Sequence, residues 1–502
     1  MQDKNYHKLL YFTVLVLIGL LYLPRMSDFG LFTDGSIYGT IAHNMAVGDG
    51  GFWSPIYHNF TEKKFQIEHS AVFYEHPPLM FWLESWFFRF FGDGFYVENI
   101  YQTVILVLHI MTITYFFRSL TQKRYSIFAA WPVLFLWYVV PTIMWSFAQN
   151  MIDNTLSLWG LWSIWAIFVG SRKDHFLYAV LAGVLMGMAI LTKGPLGLFP
   201  LVAFGLYWLA SQWTQAKGFR YPFFRAVYKT TALIFGFIIV GVNVYIQPAG
   251  RTFFANYLRQ QVIPSVSGHR EMSNTLVEHL SIIQDMMVQY APIYGAAILL
   301  WLYFRKNPTG LPKPKNHQRF ALWILLVGIS SSLPIALSAK SHSFYLISGI
   351  PYYALSVGIF WAEEINAVVQ KFKLAKRGQK IWKALIISIL SYSLIATVVD
   401  WGRYKRDRLQ LEDIALLSQK IPRDTVVGLS PNIKNWATLN SNLERHLLVR
   451  TSWEWDEESI VLTRVTTDST YLEQLAQNGY VPLDGDWKTF LVFVRGQSEP
   501  KF

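Results

Sequence analysis

The chain has 502 residues and a formal net charge of +12; 53% of its residues are hydrophobic and only 15% are charged. Few soluble proteins are so apolar, and the apolar runs recur at lengths that can cross a bilayer, which excludes a soluble fold. The basic residues cluster in short loops between these runs, so they indicate membrane topology, and no nucleic-acid partner is expected. The absence of cysteine excludes disulfides and thiolate metal sites.

The first apolar run follows Lys4 and Lys8 as a signal sequence does, but no small-residue cleavage site comes after it. We therefore interpret it as an uncleaved span. The hydrophobic pattern predicts about eleven transmembrane helices, so residues 1–400 form an all-α polytopic membrane domain. The predicted spans lie at about 8–24, 100–117, 126–143, 154–170, 176–191, 196–211, 230–247, 287–304, 320–338, 343–361 and 382–400.

The loops between the spans alternate in charge. One set is rich in lysine and arginine, whereas the short loops 144–153, 192–195 and 339–342 contain only Lys193 and Lys340 as basic residues. The positive-inside rule places the basic loops in the cytoplasm. The loops 25–99 and 248–286 and the tail 401–502 are then expected to face outward.

The first outward loop contains Phe32-Thr33-Asp34-Gly35. Three apolar residues then recur at helical spacing, namely Ile37, Ile41 and Met45. They predict a short amphipathic helix in the membrane interface, with Asp34 in its first turn. An acid near this position also caps a helix, so a purely structural role for Asp34 is the alternative.

The same loop continues to Tyr74-Glu75-His76-Pro77-Pro78-Leu79, where a second interfacial helix is predicted to begin. Two consecutive prolines stiffen the backbone and restrict the directions of Glu75 and His76. On its own, this segment would be a turn with surface charges.

The later outward segments add an acid and several cations. Asp153 lies at the start of the fourth predicted span, and Lys193 lies in Leu191-Thr192-Lys193-Gly194-Pro195, a break between two spans. The other candidates are Arg259, His269, Arg270, Lys340 and Tyr345. A single interfacial lysine usually only reaches toward the headgroups. Cations in three outward segments indicate a bound anion, for which a lipid phosphate is the natural candidate.

The tail has a different pattern. Short apolar runs at 426–429, 447–450, 460–462 and 490–493 predict strands, and residues 412–420 and 470–478 predict helices. Residues 401–502 are therefore expected to form a small α/β domain.

Together, these motifs resemble the GT-C membrane glycosyltransferases, particularly the bacterial aminoarabinose (lipid A) transferase and protein O-mannosyltransferase families. The resemblance covers about residues 8–400. It is based on Asp34 followed by Tyr38 and Met45, on Glu75-His76-Pro77-Pro78-Leu79, and on the intact motif at 191–195. A further Ser-x-x-Lys motif is matched, at looser spacing, by Ser338, Lys340, Tyr345 and Pro351.

The resemblance implies an enzyme that transfers a sugar from a polyprenyl-phosphate donor, with inversion, to a lipid, glycan or protein acceptor. It implies a monomer in the bacterial cytoplasmic (inner) membrane, with the site and the C-terminal domain on the periplasmic side. The implied catalytic residues are Asp34 and Asp153. Those implied to bind the donor phosphate are His76, Lys193, Arg259, Arg270, Lys340 and Tyr345. Tyr38, Tyr74 and Glu75 would line the substrate cavity, and Glu75 with His269 could hold a divalent metal ion such as zinc.

Two positions depart from the family pattern. His76 replaces a lysine and would be only partly charged near neutral pH, so phosphate binding would depend more on Lys193, Arg270 and Lys340. Gly35 replaces the second acid of an Asp-Glu pair. A transporter or flippase of lipid-linked sugars is the alternative function, but such proteins usually contain repeated halves, and no internal repeat is evident in this sequence.

Overall fold

A computed structural model describes residues 3–27, 29–59, 70–213, 221–267, 276–311, 313–336, 342–371, 376–404, 406–423, 425–447, 449–467 and 469–496. The chain divides into two units. The first comprises Met1–Met26, Glu75–Leu79 and Gln102–Val399. The second comprises Ser27–Tyr74, Met80–Tyr101 and Asp400–Phe502. The second unit therefore combines the predicted C-terminal domain with most of the first long loop.

The α-helices of the described residues are numbered in chain order. The first ten are α1 (Asp3–Met26), α2 (Thr33–Val47), α3 (Leu79–Phe91), α4 (Val97–Leu120), α5 (Trp131–Tyr138), α6 (Pro141–Ser146), α7 (Ile152–Lys173), α8 (Phe176–Lys193), α9 (Ala203–Trp213) and α10 (Phe223–Ile246). The others are α11 (Pro248–Tyr257), α12 (Ile263–Ser267), α13 (Leu276–Lys306), α14 (Lys315–Ala336), α15 (Ile350–Phe360), α16 (Ala362–Lys371), α17 (Lys376–Asp400), α18 (Arg408–Leu417), α19 (Ala437–Leu447) and α20 (Ser469–Gln477).

Shorter elements connect these helices. The 3-10 segments are Ile127–Ala130, Phe147–Gln149, Gly194–Val202, Ser343–Ser348 and Trp455–Glu457, and Leu258–Val262 is a π-helix. The strands are β1 (Ile56–Asn59), β2 (Ser70–Val72), β3 (Val426–Leu429), β4 (Arg450–Ser452), β5 (Ile460–Arg464), β6 (Tyr480–Pro482) and β7 (Phe490–Arg495).

Seven helices among the described residues are long and apolar enough to cross a membrane. They are Tyr6–Met26, Val97–Leu120, Phe176–Trp213, Phe223–Ile246, Gln284–Lys306, Lys315–Ile335 and Arg377–Asp400. Ile127–Tyr138 and Pro141–Gln149, bent by 85°, add an eighth if they are one span. The predicted polytopic helical fold is confirmed, although length and composition support fewer spans than the predicted eleven. The difference arises partly because α7 begins with polar residues and α15 has only 11 residues.

Glycines allow α8 and α10 to pack closely in the first unit. An alanine Cβ at Gly183 would collide with the backbone of Leu233, and one at Gly187 would lie 2.7 Å from the Val240 side chain. Contacts therefore advance in the same direction along both helices, which makes α8 and α10 parallel. The chain between them must return to the end where α8 began. The 38-residue run Phe176–Trp213 is one candidate span by length and composition. Its reversal of direction is consistent with the two predicted spans 176–191 and 196–211.

The C-terminal part of the second unit is a five-stranded sheet in the order β4-β3-β5-β7-β6. Strand β3 is parallel to β4 and β5, and β7 is antiparallel to β5 and β6. The predicted small α/β domain is confirmed. The prediction for residues 447–450 is wrong in detail, because Leu447 ends helix α19 and strand β4 begins only at Arg450.

Helix α2 of the first long loop packs against α19 within the second unit. The amphipathic pattern predicts one exposed polar face, but residues 35, 36 and 38–45 are all buried. Hydrogen bonds between the two helices join Ser36 to Asn442, Thr40 to Ser441, and Asn44 to Glu444. The polar side of α2 is therefore covered by protein.

Candidate functional site

Asp153 and Lys193 form a buried ion pair in the first unit. The Nζ atom of Lys193 lies 2.7 Å from Oδ1 and 2.6 Å from Oδ2 of Asp153. Only 3% of the lysine side chain and 0% of the aspartate side chain are exposed. Burying a charge is costly unless a partner compensates it, so each residue stabilises the charged form of the other.

The local sequence explains how the two partners meet. Asp153 lies in the first turn of α7, where the helix dipole favours a carboxylate. Lys193 ends α8, because Gly194 has a φ of +66° and Pro195 follows it. An alanine Cβ at Gly194 would collide with the hydroxyl of Tyr257 in α11. The Leu-Thr-Lys-Gly-Pro motif is thus a helix end that holds Lys193 beside the first turn of α7.

Aromatic rings cover the ammonium group of Lys193. Its Nζ lies 4.3 Å from the ring centre of Tyr345 and 5.4 Å from that of Phe344. His342 stacks on Phe344 with 5.0 Å between ring centres. Ring faces are electron-rich and stabilise a nearby cation. The structure therefore brings Lys193 and Tyr345 together, although 151 residues separate them.

Hydrogen-bonded amides support the start of α7. Gln102 in α4 donates to Oδ1 of Asn150 at 3.0 Å and accepts from Nδ2 of Asn154 at 3.0 Å. Ser146 in α6 donates to Oδ1 of Asn154 at 2.8 Å. All four side chains are fully buried. Sequence reasoning missed Gln102 and Asn154, for which the available signal was a polar amide near the start of each predicted span.

Of the other predicted residues of the first unit, the structure describes Arg259, Glu75 and His76. Arg259 is exposed in the π-helix, Glu75 is exposed, and His76 is partly buried. The prolines that follow His76 are both buried. His269, Arg270 and Lys340 lie outside the described residues. In the part of the chain that the structure describes, no group of three His, Cys, Asp or Glu side chains could hold a metal ion.

Three predicted site residues belong to the second unit. Asp34 is partly buried in the first turn of α2, and no described side chain pairs with its carboxylate. Tyr38 is only 2% exposed, and its ring centre lies 5.5 Å from that of Phe81, so it occupies a packing position. Tyr74 is partly buried.

Sequence reasoning also missed the titratable groups between α2 and α19. Burial raises the pKa of Glu444 to about 8, against the opposing effect of its 2.6 Å hydrogen bond from Asn44. Burial and the charge of Arg445 lower the pKa of His43, whose Nε2 lies 3.1 Å from Oδ1 of Asp93. Near pH 7, Glu444 is therefore mostly protonated and His43 mostly neutral.

Comparison with known proteins agrees with this fold. Residues 75–245 match the model of the dolichyl-phosphate-mannose-protein mannosyltransferase family. ArnT from Cupriavidus metallidurans bound to undecaprenyl phosphate is similar, with 16% identity, a TM-score of 0.59 and coverage of 97% of this chain and 98% of that chain. Its apo structure has 15% identity, a TM-score of 0.58 and coverage of 96% and 97%. Among curated proteins, no sequence matches significantly.

A more distant fold match is the oligosaccharyltransferase AglB from Archaeoglobus fulgidus in complex with an inhibitory peptide and a dolichol-phosphate. It has 11% identity and a TM-score of 0.51, and the match covers 99% of this chain and 75% of that chain. Residues 75–245 therefore match a mannosyltransferase family model, and the fold of the chain is similar to that of membrane glycosyltransferases of the GT-C type. The predicted resemblance is confirmed, and the transporter alternative is not favoured.

Proposed function

We propose that the protein transfers a sugar from a polyprenyl-phosphate donor to a lipid, glycan or protein acceptor, with inversion at the anomeric carbon. The observation that carries this proposal is the buried ammonium of Lys193 in the Leu-Thr-Lys-Gly-Pro motif, within a segment that matches a family of lipid-phosphate-dependent transferases. The ArnT structure bound to undecaprenyl phosphate supports the same donor class.

Lys193 would stabilise the leaving phosphate. The donor is a phosphodiester, and cleavage of the sugar bond leaves a phosphate monoester that carries additional negative charge. A cation held where charge develops lowers the barrier, most strongly where water is excluded. The aromatic cover of Lys193 by Tyr345 and Phe344 provides such surroundings.

Asp153 would hold Lys193 in position. Both carboxylate oxygens lie within hydrogen-bonding distance of the ammonium, so the acid keeps the lysine charged and oriented before the donor arrives. This role is more specific than the catalytic role that the family resemblance implies for Asp153.

Asp34 is the proposed base for an acceptor hydroxyl. Attack on the anomeric carbon opposite the leaving phosphate would give inversion. The partly buried carboxylate of Asp34, with which no described side chain pairs, is suited to accept a proton. If the acceptor is itself a phosphate, the nucleophile is already an anion and Asp34 would only position it.

The remaining predicted roles are also proposals. Donor contacts are assigned to His76, Arg259, Arg270 and Lys340, in a monomer whose site faces the periplasm. A metal ion at Glu75 and His269 stays a prediction, and because the one described member of this pair is exposed, no proposed step depends on it.

The direct test is transfer by the purified protein in detergent, where no compartments exist. Mass spectrometry of lipids and glycans from cells lacking the protein would first identify the class of sugar and the class of acceptor. Labelled undecaprenyl-phosphate sugars and a panel of acceptors would then be supplied to the purified protein. We expect transfer by the wild type and its loss in Asp34→Asn. Donor binding without transfer to the identified acceptor would contradict the proposal.

A further inference from the structure

The amides at the start of α7 are linked by three buried hydrogen bonds that involve α4 and α6. Gln102 lies in the span Val97–Leu120 and bonds at 3.0 Å to both Asn150 and Asn154, and Ser146 closes the chain at 2.8 Å. We call these four residues the amide chain. Buried polar side chains in a membrane protein are costly, and they often mark functional regions.

The backbone at this point shows what the amide chain supports. Asn150 has a φ of +52°, a left-handed conformation, between the 3-10 segment Phe147–Gln149 and helix α7. Met151 occupies the N-cap of α7 and makes no side-chain cap hydrogen bond. Gln102 therefore tethers α7 from both sides of this cap, through Asn150 before it and Asn154 after it.

Asp153 lies between these two anchors. A shift of the first turn of α7 would move its carboxylate, and with it the ammonium that both oxygens contact. Small displacements of catalytic groups are expensive, since a misplacement of about 1 Å can cost roughly 100-fold in rate.

We infer that Gln102, acting through Asn150 and Asn154, is a positioning residue that aligns the Asp153–Lys193 pair with the donor phosphate. This inference rests on the proposed function. It assigns to an amide of α4 a role in donor affinity that goes beyond packing of the span.

The test compares two substitutions at adjacent positions of α4. Gln102→Leu removes the centre of the amide chain, whereas Thr103→Val removes a hydrogen bond of 2.9 Å to Tyr22. Both variants lose side-chain hydrogen bonding within the same helix, buried at Gln102 and partly buried at Thr103, so a purely structural effect would appear in thermal stability. Binding of undecaprenyl phosphate to the folded full-length protein in detergent is measured alongside thermal stability.

We expect Gln102→Leu to bind undecaprenyl phosphate about tenfold more weakly than the wild type, and Thr103→Val to stay within about twofold. Gln102→Glu keeps the side-chain length and an acceptor for Asn154, and the Asn150 amide can rotate to donate to it. We expect this variant to recover most of the affinity. If Gln102→Leu does not fold, Ser146→Ala removes only the terminal bond and should weaken binding by about two- to threefold.

Equal affinities for the wild type and the amide-chain variants would overturn the inference, as would the same loss in Thr103→Val. These outcomes leave the proposed donor class intact, because the wild type still binds. Failure of the wild type itself to bind undecaprenyl phosphate would instead refute the proposed function, and this inference with it.

Discussion

Each unit of the molecule contains a buried ion pair, and the two pairs are built differently. In the second unit, Nε of Arg445 lies 2.8 Å from Oε1 of Glu98, and the two Nη atoms donate to the carbonyls of Asp93 and Gly94. A rigid guanidinium that donates hydrogen bonds in three directions suits a permanent structural contact. Lys193 carries a compact charge on a flexible stem, which can turn from Asp153 toward a new anion. With similar burial, the Arg445–Glu98 pair is therefore expected to serve structure and the Asp153–Lys193 pair the proposed ligand binding.

The largest effects on stability and transfer are expected from substitutions in the Asp153–Lys193 pair. Lys193→Met leaves Asp153 buried without its cation, which should cost about 3–5 kcal/mol of stability. Adding Asp153→Leu replaces both charges with apolar side chains and should restore stability. Transfer should stay about 100- to 1,000-fold below wild type in the double variant. Melting temperature and transfer rate, measured on the same samples, separate the two effects.

The matched substitutions in the Arg445–Glu98 pair of the second unit test whether the two pairs differ in this way. Arg445→Met alone should destabilise the protein by about 3–5 kcal/mol, because Glu98 loses its partner. Adding Glu98→Leu should recover much of the stability, and transfer should recover with it. Low transfer by this double variant when it is well folded would show that the Arg445–Glu98 pair has a functional role.

The sequence predicts the residues of the first pair but not their geometry. Asp153 and Lys193 each stand out as charges beside apolar spans, and the motif around Lys193 marks a helix end. Their contact depends on how α7 packs against α8, which no local pattern specifies. The hydrogen bonds of Gln102 could not be predicted either, because its partners lie about 50 residues away and become adjacent only when the spans pack.

The second unit shows a different limit of sequence reasoning. Leu439, Leu443 and Leu447 recur at helical spacing and enter the core of the α/β domain, so this signal could have identified α19. The polar face of α19 looks like a solvent-exposed surface in sequence. It is buried because α2, about 400 residues earlier, supplies matching hydrogen-bonding groups.

A moderate effect on stability and transfer is expected from a substitution in the contact between α10 and α8, the helix that ends at Lys193. Gly183→Val places a branched side chain against the backbone of α10, which should cost about 1–3 kcal/mol and shift α8. Transfer should fall more than in Gly241→Ala, a substitution in α10 with no atom within 4 Å of the added Cβ. The Gly241→Ala control should be neutral or slightly stabilising. Equal transfer by the two variants would show that the position of α8 does not control the site.

The smallest effect concerns pH and belongs to the second unit alone. Because the pKa of Glu444 rises from 4.5 to about 8 on folding, the folded protein keeps a proton that the unfolded chain releases between those values. The resulting stabilisation is fully present below pH 4.5 and is lost as pH rises through 8. Between pH 6.5 and 8.5 this amounts to about 2 kcal/mol, or a few degrees in melting temperature.

Glu444→Gln mimics the protonated acid and keeps an acceptor for Asn44, so its melting temperature should fall less over this range. Glu412→Gln is the matched control, since hydrogen bonds from Lys488 and Arg408 lower the pKa of Glu412 and place its titration well below pH 6.5. The lowered pKa of His43 acts with the opposite sign and costs stability as pH falls through 6.5, so it affects only the lower edge of the measured window. A wild-type slope retained in Glu444→Gln would mean that another group titrates in the second unit. Loss of the slope would show that Glu444 is the titrating group, so that the contact between α2 and α19 contains a neutral acid, in contrast to the charged pair of the first unit.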